Sequence, residues 1–351
     1  MTWRLPFGPL ALTLVRRGSY NNAAPPGLQG PLRPVPGGRE AGVGYPVTSL
    51  PLSIVVNWNG GDLVRRALES LERCRRLVPL PVHLVDNASN DGSREALIER
   101  YGDESWFSHE TNHANVGYAP AANQGMARAL DEGRDALLFN PDAEMEPEAL
   151  AALIEGQQRY PKAAVTAPRL LNPDGTLQPS LRDDPTPWNL ALEHLLEGRA
   201  RSKRVAVFDP HRSERTADWI VGAVWLIRRE ALKQTGLFDE GFGTFHEETD
   251  LARRFRDRGW ELRLIPGAEA IHVGGGLAAG PAGGHQDLIL RYIPGKLRFL
   301  RKHGGPLSMP LFRAGISLIW IARMVSLPWG AEKRARSKKA LQLIWGPPAG
   351  E

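Results

Sequence analysis

Two apolar runs separated by an amphipathic segment constrain the fold of this chain more than any other feature. The first run is "LSIVVNW" (52–58) and the second is "VHLVD" (82–86). Between them, apolar residues recur at helical spacing, with charged residues on the other face. These residues are Leu63, Ala67, Leu68, Leu71 and Cys74. A strand, helix and strand of this length predict two parallel strands joined by a right-handed crossover.

The alternation of strands and helices continues and then weakens. Helices are predicted from about Ser93 and over "APAANQGMARALDEG", and the second precedes another apolar strand in "ALLFNPDAEM" (136–145). Later strands are predicted in "VTAPRLL", "ADWIVGAVWLIRREAL" and "ELRLIPGAEAIHV", around a helix at about 247–258. The sequence therefore predicts an α/β domain over residues 50–275, with a mostly parallel central sheet flanked by helices.

The N-terminal segment has a different composition. Residues 1–49 are crowded with Gly and Pro and contain a single acidic residue, Glu40, which predicts a disordered extension. Its first apolar run lacks a small-residue cleavage pattern, so no cleaved signal peptide is expected. Cys74 is the only cysteine, which excludes a disulfide or a thiolate zinc site within one chain and favours a reducing compartment.

The C-terminal segment, residues 276–351, is predicted to be helical. Trp320, Trp329 and Trp345 lie near a basic cluster at 333–339, and no run approaches the roughly 20 consecutive apolar residues of a spanning helix. Two interpretations stay open: an interfacial position on an anionic leaflet, or a helix pair packed on the rest of the fold with a solvated basic face. The net charge of +5 fits anionic partners such as nucleotides or lipid headgroups without selecting among them.

Two carboxylates follow predicted strands, and ligands of parallel α/β sheets bind beyond the carboxyl ends of the strands. Asp86 stands where an acidic residue commonly bonds a nucleotide's sugar or base, although it could also form a turn in "DNASNDGS". The first turn, "NWNGGD", lacks the G-x-G-x-x-G pattern, which argues against a nicotinamide or flavin cofactor. Asp142 could lie near the start of a following helix, or it could bind Mg²⁺ or Mn²⁺ together with substrate phosphates.

A second acidic group occurs in "FDEGFGTFHEETDLARRFRDRGW". Glu247 and Glu248 begin a predicted helix, where acidic residues are favoured, and a carboxylate with apolar neighbours can also serve as a general base. Asp250 and Arg254 are four residues apart and can form a structural ion pair. His272 ends an apolar strand and is expected to be a packed polar residue unless other ligands converge on it.

Taken in order, eight stretches of residues 52–303 resemble the family 2 glycosyltransferases of the GT-A fold. They are "LSIVVNWNG", "VDNASNDGS", "NVGYAPAANQG", "LLFNPDAEM", "RLLNPDGTLQPS", "WIVGAVWLIRREAL", "GLFDEGFGTFHEETDLARRFRDRGW" and "AIHVGGG". The "NPD" form, and "HVGGG" followed by "RYIPGKLRFLRKHGG", are most similar to the bacterial rhamnosyltransferase-like branch. The resemblance implies a GT-A nucleotide-diphospho-sugar transferase fold with a C-terminal helical extension.

The resemblance also implies a role for individual residues. The implied donor-nucleotide residues are Asn57, Asp86, Asn115, Gly117, Asn123 and Asp142. The implied acceptor residues are Trp219, Gly222, Ala223 and Glu247. Asp142 and His272 would bind Mg²⁺ or Mn²⁺, and Glu248 would be the general base. Two positions depart from the family pattern, because Asn140 replaces the first aspartate of D-x-D and Glu248 replaces the usual aspartate.

The implied activity is an inverting transfer of a sugar, with L-rhamnose as a candidate, from a dTDP- or UDP-sugar. The implied acceptor is a hydroxyl of a glycan or polyprenyl-linked molecule in cell-surface polysaccharide synthesis. A cytoplasmic enzyme, peripheral on the inner face of the plasma membrane, would suit such an acceptor. Nucleic-acid binding is not expected, because the basic residues do not interleave with aromatic ones.

Two alternative functions stay open from the sequence. A nucleotidyltransferase that makes a nucleotide sugar would need a glycine-rich basic loop after the first strand, but "NWNGGD" has no basic residue. A non-catalytic module that binds nucleotides or carbohydrates would not need Asp142, Glu248 and His272 together.

Overall fold

The computed structural model of the chain describes residues 50–186, 189, 210–242, 245–274, 285–325 and 331–346. The extension predicted over 1–49 lies outside the described residues, as does the 276–284 part of the predicted C-terminal region. All described residues belong to one unit, residues 41–351.

The apolar runs of the first half become buried parallel strands, as predicted. The elements here are β1 (Leu52–Asn57), α1 (Gly61–Cys74), β2 (Val82–Asp86), α2 (Ser93–Tyr101), β3 (Phe107–Thr111), α3 (Tyr118–Asp131) and β4 (Ala136–Phe139). β1 pairs in parallel with β2 and β4. β2 also pairs in parallel with β3, a strand that the sequence pattern did not predict. The carboxyl ends of these strands therefore lie along one edge of the sheet.

The second half adds five strands to the sheet: β5 (Ala143–Met145), β6 (Ala163–Leu171), β8 (Arg215–Ala217), β10 (Val224–Ile227) and β11 (Glu261–His272). The resulting nine-stranded sheet has the order β3-β2-β1-β4-β10-β6-β11-β5, with β8 also paired to β11. Two short strands, β7 (Leu181–Arg182) and β9 (Trp219–Ile220), form a separate pair. Its helices are α4 (Pro147–Arg159), α5 (Arg229–Thr235) and α6 (Glu247–Asp257). β10 is antiparallel to both its neighbours, β4 and β6, a change of direction that apolar pattern alone cannot indicate.

The sheet is buried on both faces by helices. Successive strand residues point to opposite faces, so Leu137 packs in one hydrophobic core and Leu138 in the other. This explains why the inner strands read as continuous apolar runs. Helix α3 approaches β1 closely because it carries Gly125, where a Cβ would lie 2.4 Å from Ile54 Cγ2.

Three helices follow the sheet: α7 (His285–His303), α8 (Ser308–Val325) and α9 (Ala331–Trp345). They share a small core of their own, which includes Ile293, Phe312, Trp320 and Ile344. None of the helices in the described parts of the chain is long and apolar enough to cross a membrane. The prediction of an α/β fold with a mostly parallel central sheet and C-terminal helices is confirmed.

A buried carboxylate fastens α7 to α6. Asp250 is fully buried and lies 2.8 Å from Arg254 Nε, 2.9 Å from Lys302 Nζ and 2.6 Å from His303 Nε2. The predicted pair of Asp250 with Arg254 is thus confirmed. Burial alone raises the pKa of Asp250, but hydrogen bonds from His303 and Lys302 and the charge of Arg254 outweigh it and lower the pKa to about 2.

The buried cluster around Asp250 predicts how the stability of the fold changes with pH. The pKa of folded Asp250 lies below its ordinary value of 3.8, so the carboxylate stabilises the fold above about pH 4 and loses that contribution as pH falls toward 2. Asp250→Asn should lower the free energy of unfolding by about 2 kcal/mol at pH 7. The difference from wild type should shrink below pH 4, as measured by urea denaturation.

Asp257→Asn on the same helix is the matched control. Asp257 is half-exposed and pairs with Arg253, so its loss should cost about 0.5 kcal/mol or less. Equal effects of the two substitutions at pH 7 would contradict a stabilising role for Asp250.

Candidate active site

Asp142 lies in the turn that joins β4 to β5. Helix α4 begins only at Pro147, with Glu146 as its N-cap, so the structure excludes the interpretation of Asp142 as a helix-start residue. Asn140 fixes the turn, because its N–H donates to the Ala223 carbonyl at 2.9 Å and its own carbonyl accepts from the N–H of Ala143 at 3.1 Å. The carboxylate of Asp142 therefore does not cap helix α4.

The pairing of β5 with β11 brings a histidine beside this carboxylate. In the antiparallel register His272 lies opposite Ala143, the residue after Asp142. As a result His272 Nε2 is 3.3 Å from Asp142 Oδ1, and both side chains are largely buried. The N–H of Gly274 donates to the other oxygen, Oδ2, at 3.2 Å. The two residues predicted as metal ligands are thus neighbours in space.

Gln178 determines which nitrogen of His272 carries a proton. Its Nε2 donates to the His272 carbonyl and to Asn172 Oδ1, both at 3.1 Å, which fixes the orientation of the amide. Its Oε1 lies 2.7 Å from His272 Nδ1 and can only accept. The proton of the neutral ring is therefore on Nδ1, and the lone pair of Nε2 faces both Asp142 Oδ1 and the amide Nδ2 of Asn140, which lies 3.4 Å away.

This arrangement suits a cation. An imidazole lone pair and a carboxylate oxygen that face each other in a buried site repel unless a proton or a metal ion lies between them. In the described part of the chain, no group of three or more His, Cys, Asp or Glu side chains could hold a metal ion. A cation between Asp142 and His272 would have these two ligands from the described part of the chain, and a bound anion or water would complete its coordination, as is usual for Mg²⁺ on substrate phosphates.

Glu248 lies at the start of α6, after an unusual backbone segment. Phe245 and His246 have φ values of 73° and 72°, the left-handed region that non-glycine residues rarely adopt. Strain of this kind is concentrated at functional sites. The turn places Glu248 Oε1 3.3 Å from the N–H of Gly222. Burial raises the pKa of Glu248, while the hydrogen bond from the N–H of Gly222 and the positive charge of Arg182 oppose the rise.

Glu247 has a different environment from its neighbour. It is buried, and its Oε2 has no hydrogen-bond partner among the described residues. Burial, and then the charge of Glu248, raise the pKa of Glu247 well above its usual range. Of the two carboxylates, Glu248 is the more exposed, so it is better suited to accept a proton from a substrate.

The other residues predicted on the acceptor side differ in accessibility. Gly222 touches Glu248 closely, since a Cβ there would lie 3.2 Å from Glu248 Oε2. Trp219 is half-buried, and its Nε1 donates to the Asp183 carbonyl at 3.0 Å. Ala223 is fully buried, so it supports the Asp142 turn through its carbonyl and offers no side-chain surface.

Asn57 and Asp86 are the last residues of β1 and β2, and both are buried at the carboxyl edge of the sheet. Asp86 is fully buried, its Oδ1 accepts from the N–H of Ser89 at 2.9 Å, and its Oδ2 accepts from Asn57 Nδ2 at 2.9 Å. Both carboxylate oxygens thus have partners, and the turn-forming interpretation describes these contacts. The same Asn57 amide lies 3.0 Å from Ser93 Oγ, which ties the start of α2 to this edge of the sheet.

Asn115 and Gly117 lie in the loop before α3, held there by Asn87. Asn87 Nδ2 donates to Asn115 Oδ1 at 2.9 Å and to the Gly117 carbonyl at 3.1 Å. Asn87 Oδ1 accepts from the N–H of Val116 at 3.0 Å. Gly117 has a φ of 93°, which favours glycine at this position. The loop is therefore shaped by the end of β2.

Asn123 joins α3 to the segment that precedes α6. Its Oδ1 accepts from the N–H of Phe238 at 2.9 Å, and its Nδ2 donates to the Phe238 carbonyl at 3.0 Å and to Glu240 Oε1 at 2.9 Å. Because these bonds occupy both ends of the amide, the residue links two parts of the fold.

A comparison with known protein families shows which family the chain belongs to. The protein-family model described as "Glycosyl transferase family 2" matches residues 53–236, which is more than half of the chain. The chain belongs to glycosyl transferase family 2. It is 30% identical over 232 residues to N-acetylglucosaminyl-diphospho-decaprenol L-rhamnosyltransferase of Mycobacterium tuberculosis, a match that covers 62% of this chain and 74% of that relative. The predictions of a glycosyltransferase and of a likeness to rhamnosyltransferases are confirmed.

Solved structures show the same fold at low identity. GalNAc-T7 with UDP, GalNAc and Mn²⁺ matches with a TM-score of 0.55 and 16% identity, over 86% of this chain and 56% of that chain. The mannosyltransferase of Pyrobaculum calidifontis, in complex with GDP-Man and Mn²⁺, matches with a TM-score of 0.51 and 15% identity, over 86% and 89% of the two chains. The predicted GT-A fold of this glycosyltransferase is confirmed.

Three residues near the site were not found from the sequence of this glycosyltransferase. Gln178 follows "NPDG" (172–175), a turn signal that could have shown the chain folding back along β6. Arg182 follows it in β7, where its charge acts on Glu248. Tyr118 begins α3, and its pKa is raised by burial and then by the charges of Glu247, Glu248 and Asp142, so all of these groups share one region. No local pattern marks Arg182 or Tyr118.

The contact of Gln178 with His272 yields a prediction about cation binding by this glycosyltransferase. Gln178→Leu removes the acceptor that holds the proton on Nδ1, so Nε2 is no longer held as the lone-pair nitrogen. Affinity for Mn²⁺, titrated by electron paramagnetic resonance with and without UDP, should fall by roughly 10- to 100-fold.

Gln342→Leu, an identical change at an exposed position of α9, is the control and should leave Mn²⁺ affinity unchanged. Unaltered affinity in Gln178→Leu, with an unchanged circular dichroism spectrum, would show that this amide does not orient the ligand.

Proposed function

We propose that this glycosyltransferase transfers a sugar, with L-rhamnose as the first candidate, from a nucleoside-diphosphate sugar to a hydroxyl of a lipid-linked glycan. The observation that carries the proposal is the placement of the Asp142 and His272 pair with Glu248 in one region of the fold. The relative from Mycobacterium tuberculosis supports the choice of sugar and acceptor, since its name specifies L-rhamnosyl transfer and N-acetylglucosaminyl-diphospho-decaprenol.

In this proposal Asp142 and His272 are the protein ligands of Mg²⁺ or Mn²⁺. Bound there with the donor diphosphate, the ion would neutralise negative charge on the departing nucleoside diphosphate. The carboxylate and the oriented Nε2 lone pair fit such an ion, and Gln178 keeps the lone pair in place. Mn²⁺ in the solved structures of GalNAc-T7 and of the archaeal mannosyltransferase is in keeping with this assignment.

Glu248 is proposed as the general base. It takes the proton of the acceptor hydroxyl while the hydroxyl oxygen forms a bond to the anomeric carbon. The bond from that carbon to the diphosphate oxygen breaks at the same time, with its electron pair leaving on the diphosphate. Attack from the opposite face inverts the configuration at the carbon. The N–H of Gly222 holds the carboxylate in position, and placing both substrates together supplies much of the remaining acceleration.

The donor nucleotide is proposed to lie along the carboxyl ends of β1 and β2. Asn57 and Asp86 form its floor, and the loop with Asn115 and Gly117 lies beside it. The bonds of Asn123 to Phe238 and Glu240 support an indirect contribution, through the position of the segment before α6. A dTDP- or UDP-sugar is the proposed donor.

Trp219, Gly222 and Glu247 are proposed to border the acceptor, with Ala223 behind them. A lipid-linked acceptor would place the reaction at a membrane surface. We propose the cytoplasmic side of the plasma membrane, in cell-surface polysaccharide synthesis. Membership of glycosyl transferase family 2 leaves no support for a nucleotidyltransferase or a non-catalytic module.

The role of Glu248 can be tested by Glu248→Gln, which removes the proton acceptor and keeps the size of the side chain. Turnover should fall by roughly 10²- to 10⁴-fold, because a positioned base contributes about this much. Donor affinity, measured by calorimetry, should stay within about twofold, since the donor diphosphate is bound elsewhere. Release of nucleoside diphosphate measures the rate.

Glu155→Gln, at an exposed position of α4, is the matched control and should retain full turnover. Near-normal turnover in Glu248→Gln would remove this residue from the role of base.

The donor and the metal can be identified together by thermal unfolding with nucleotides. A matching dTDP- or UDP-sugar should stabilise the protein by about 2.7 kcal/mol at a concentration near 100 times its dissociation constant. Mn²⁺ or Mg²⁺ should supply most of this stabilisation, and chelator should reduce it to the smaller effect of the metal-free nucleotide. In Asp142→Asn the part that depends on metal should be lost, while binding of the metal-free nucleotide persists. Full transfer activity in chelator would refute the assignment of Asp142 and His272.

A further inference from the structure

Helix α8 has a row of exposed apolar side chains. Leu307 before the helix and Leu318 within it are each 68% exposed, Leu311 is 62% exposed and Ile321 is 44% exposed. Their spacings place them on one face, and we call Leu307, Leu311, Leu318 and Ile321 the apolar stripe. Ala314 on the same face is also exposed, so no large polar group interrupts the stripe.

The opposite face of α8 is already used for packing. Phe312, Ile316 and Trp320 are buried in the core that α8 shares with α7 and α9. Folding of these three helices therefore accounts for one apolar face of α8 and leaves the other uncovered. Contiguous exposed apolar surface of this kind marks a site of contact with a protein or a membrane.

Trp345 extends the apolar stripe from the neighbouring helix. Its side chain is 60% exposed, its Nε1 donates to Ser317 Oγ at 2.8 Å, and Arg313 lies over its ring at 5.3 Å. The ring is thus held against the flank of α8 with its polar atom satisfied. A side chain that combines an apolar body with a polar tip suits the boundary between hydrocarbon and water.

The charge of the two docking helices indicates what binds this surface. Residues 305–346 contain seven Lys and Arg residues and one acidic residue, Glu332. Lys338 and Lys339 are exposed on α9, the helix that carries Trp345. A second copy of the same face would bring like charges together, and a neutral partner would leave the basic residues unused. A negatively charged lipid surface matches both the apolar side chains and the charge.

We propose that the apolar stripe and Trp345 dock this glycosyltransferase on an anionic lipid bilayer, with α8 lying in the plane of the interface. The inference deepens the proposed function and rests on it in one respect, that the acceptor is held in the same bilayer. Lys302 and His303 at the end of α7 contact Asp250 in α6, the helix that begins with Glu247 and Glu248. Helix α7, which shares a hydrophobic core with α8 and α9, therefore joins the docking helices to α6.

Vesicle co-sedimentation of the full chain tests the surface. Wild type should bind vesicles of phosphatidylglycerol and phosphatidylcholine, and bind far less to phosphatidylcholine alone. Leu311→Gln with Leu318→Gln removes apolar area without changing charge and should weaken binding roughly tenfold or more. Lys338→Gln with Lys339→Gln should weaken it by about tenfold, and salt should weaken wild type similarly.

The matched control is Leu77→Gln, a leucine that is 44% exposed after α1, and its vesicle binding should equal that of wild type. Turnover of a water-soluble acceptor analogue should be normal in all these variants. That result separates the two proposals: no turnover in wild type that binds vesicles refutes the proposed function alone, and turnover without vesicle binding refutes the docking surface alone.

Equal vesicle binding by wild type and the Leu311 and Leu318 double variant would overturn the proposal. A wild-type dimer in sedimentation velocity that the double variant fails to form, without vesicle binding, would also overturn it and assign the stripe to a second copy of the chain.

Discussion

The pairing of β11 is the constraint on which the rest of the site depends. This strand pairs in parallel with β6 and antiparallel with β5 and β8, so it links the sheet to the turn that carries Asp142. Its last residue, His272, reaches Asp142 only in this register, and a slip of one residue would turn the imidazole to the other face. Gln178 then binds the same residue at its carbonyl and its ring, which fixes the orientation of the imidazole.

The chemistry of the site depends on keeping acidic groups in different environments. Asp142 has an imidazole and an N–H beside it, Glu248 has the N–H of Gly222, and Glu247 is buried with one oxygen that no described residue bonds. Neighbouring carboxylates with unequal surroundings differ in their tendency to bind a proton, which supports the proposal of Glu248 as the base. Family membership identifies the reaction class, and these surroundings indicate which residue is suited to each step.

Much of the fold could be predicted from local pattern, because buried parallel strands and amphipathic helices leave a signal in adjacent residues. Strand β4 and its end at Phe139, just before Asn140 and Pro141, are examples. The antiparallel direction of β10 left no such signal, since the direction of a strand is set by its neighbours. Asn123 was predicted as a donor residue from a motif, yet its bonds to Phe238 and Glu240 depend on residues more than a hundred positions away.

The sequence by itself determined the family and the α/β class, and it identified the acidic and histidine residues proposed for the chemistry, because these follow from residue types in a fixed order. Only the tertiary structure decided that Asp142 is no helix cap, that Glu247 and Glu248 differ, and that the described part of the chain leaves one apolar face of α8 exposed. The physical reason is that burial, hydrogen bonding and charge at a side chain arise from residues far away in the chain.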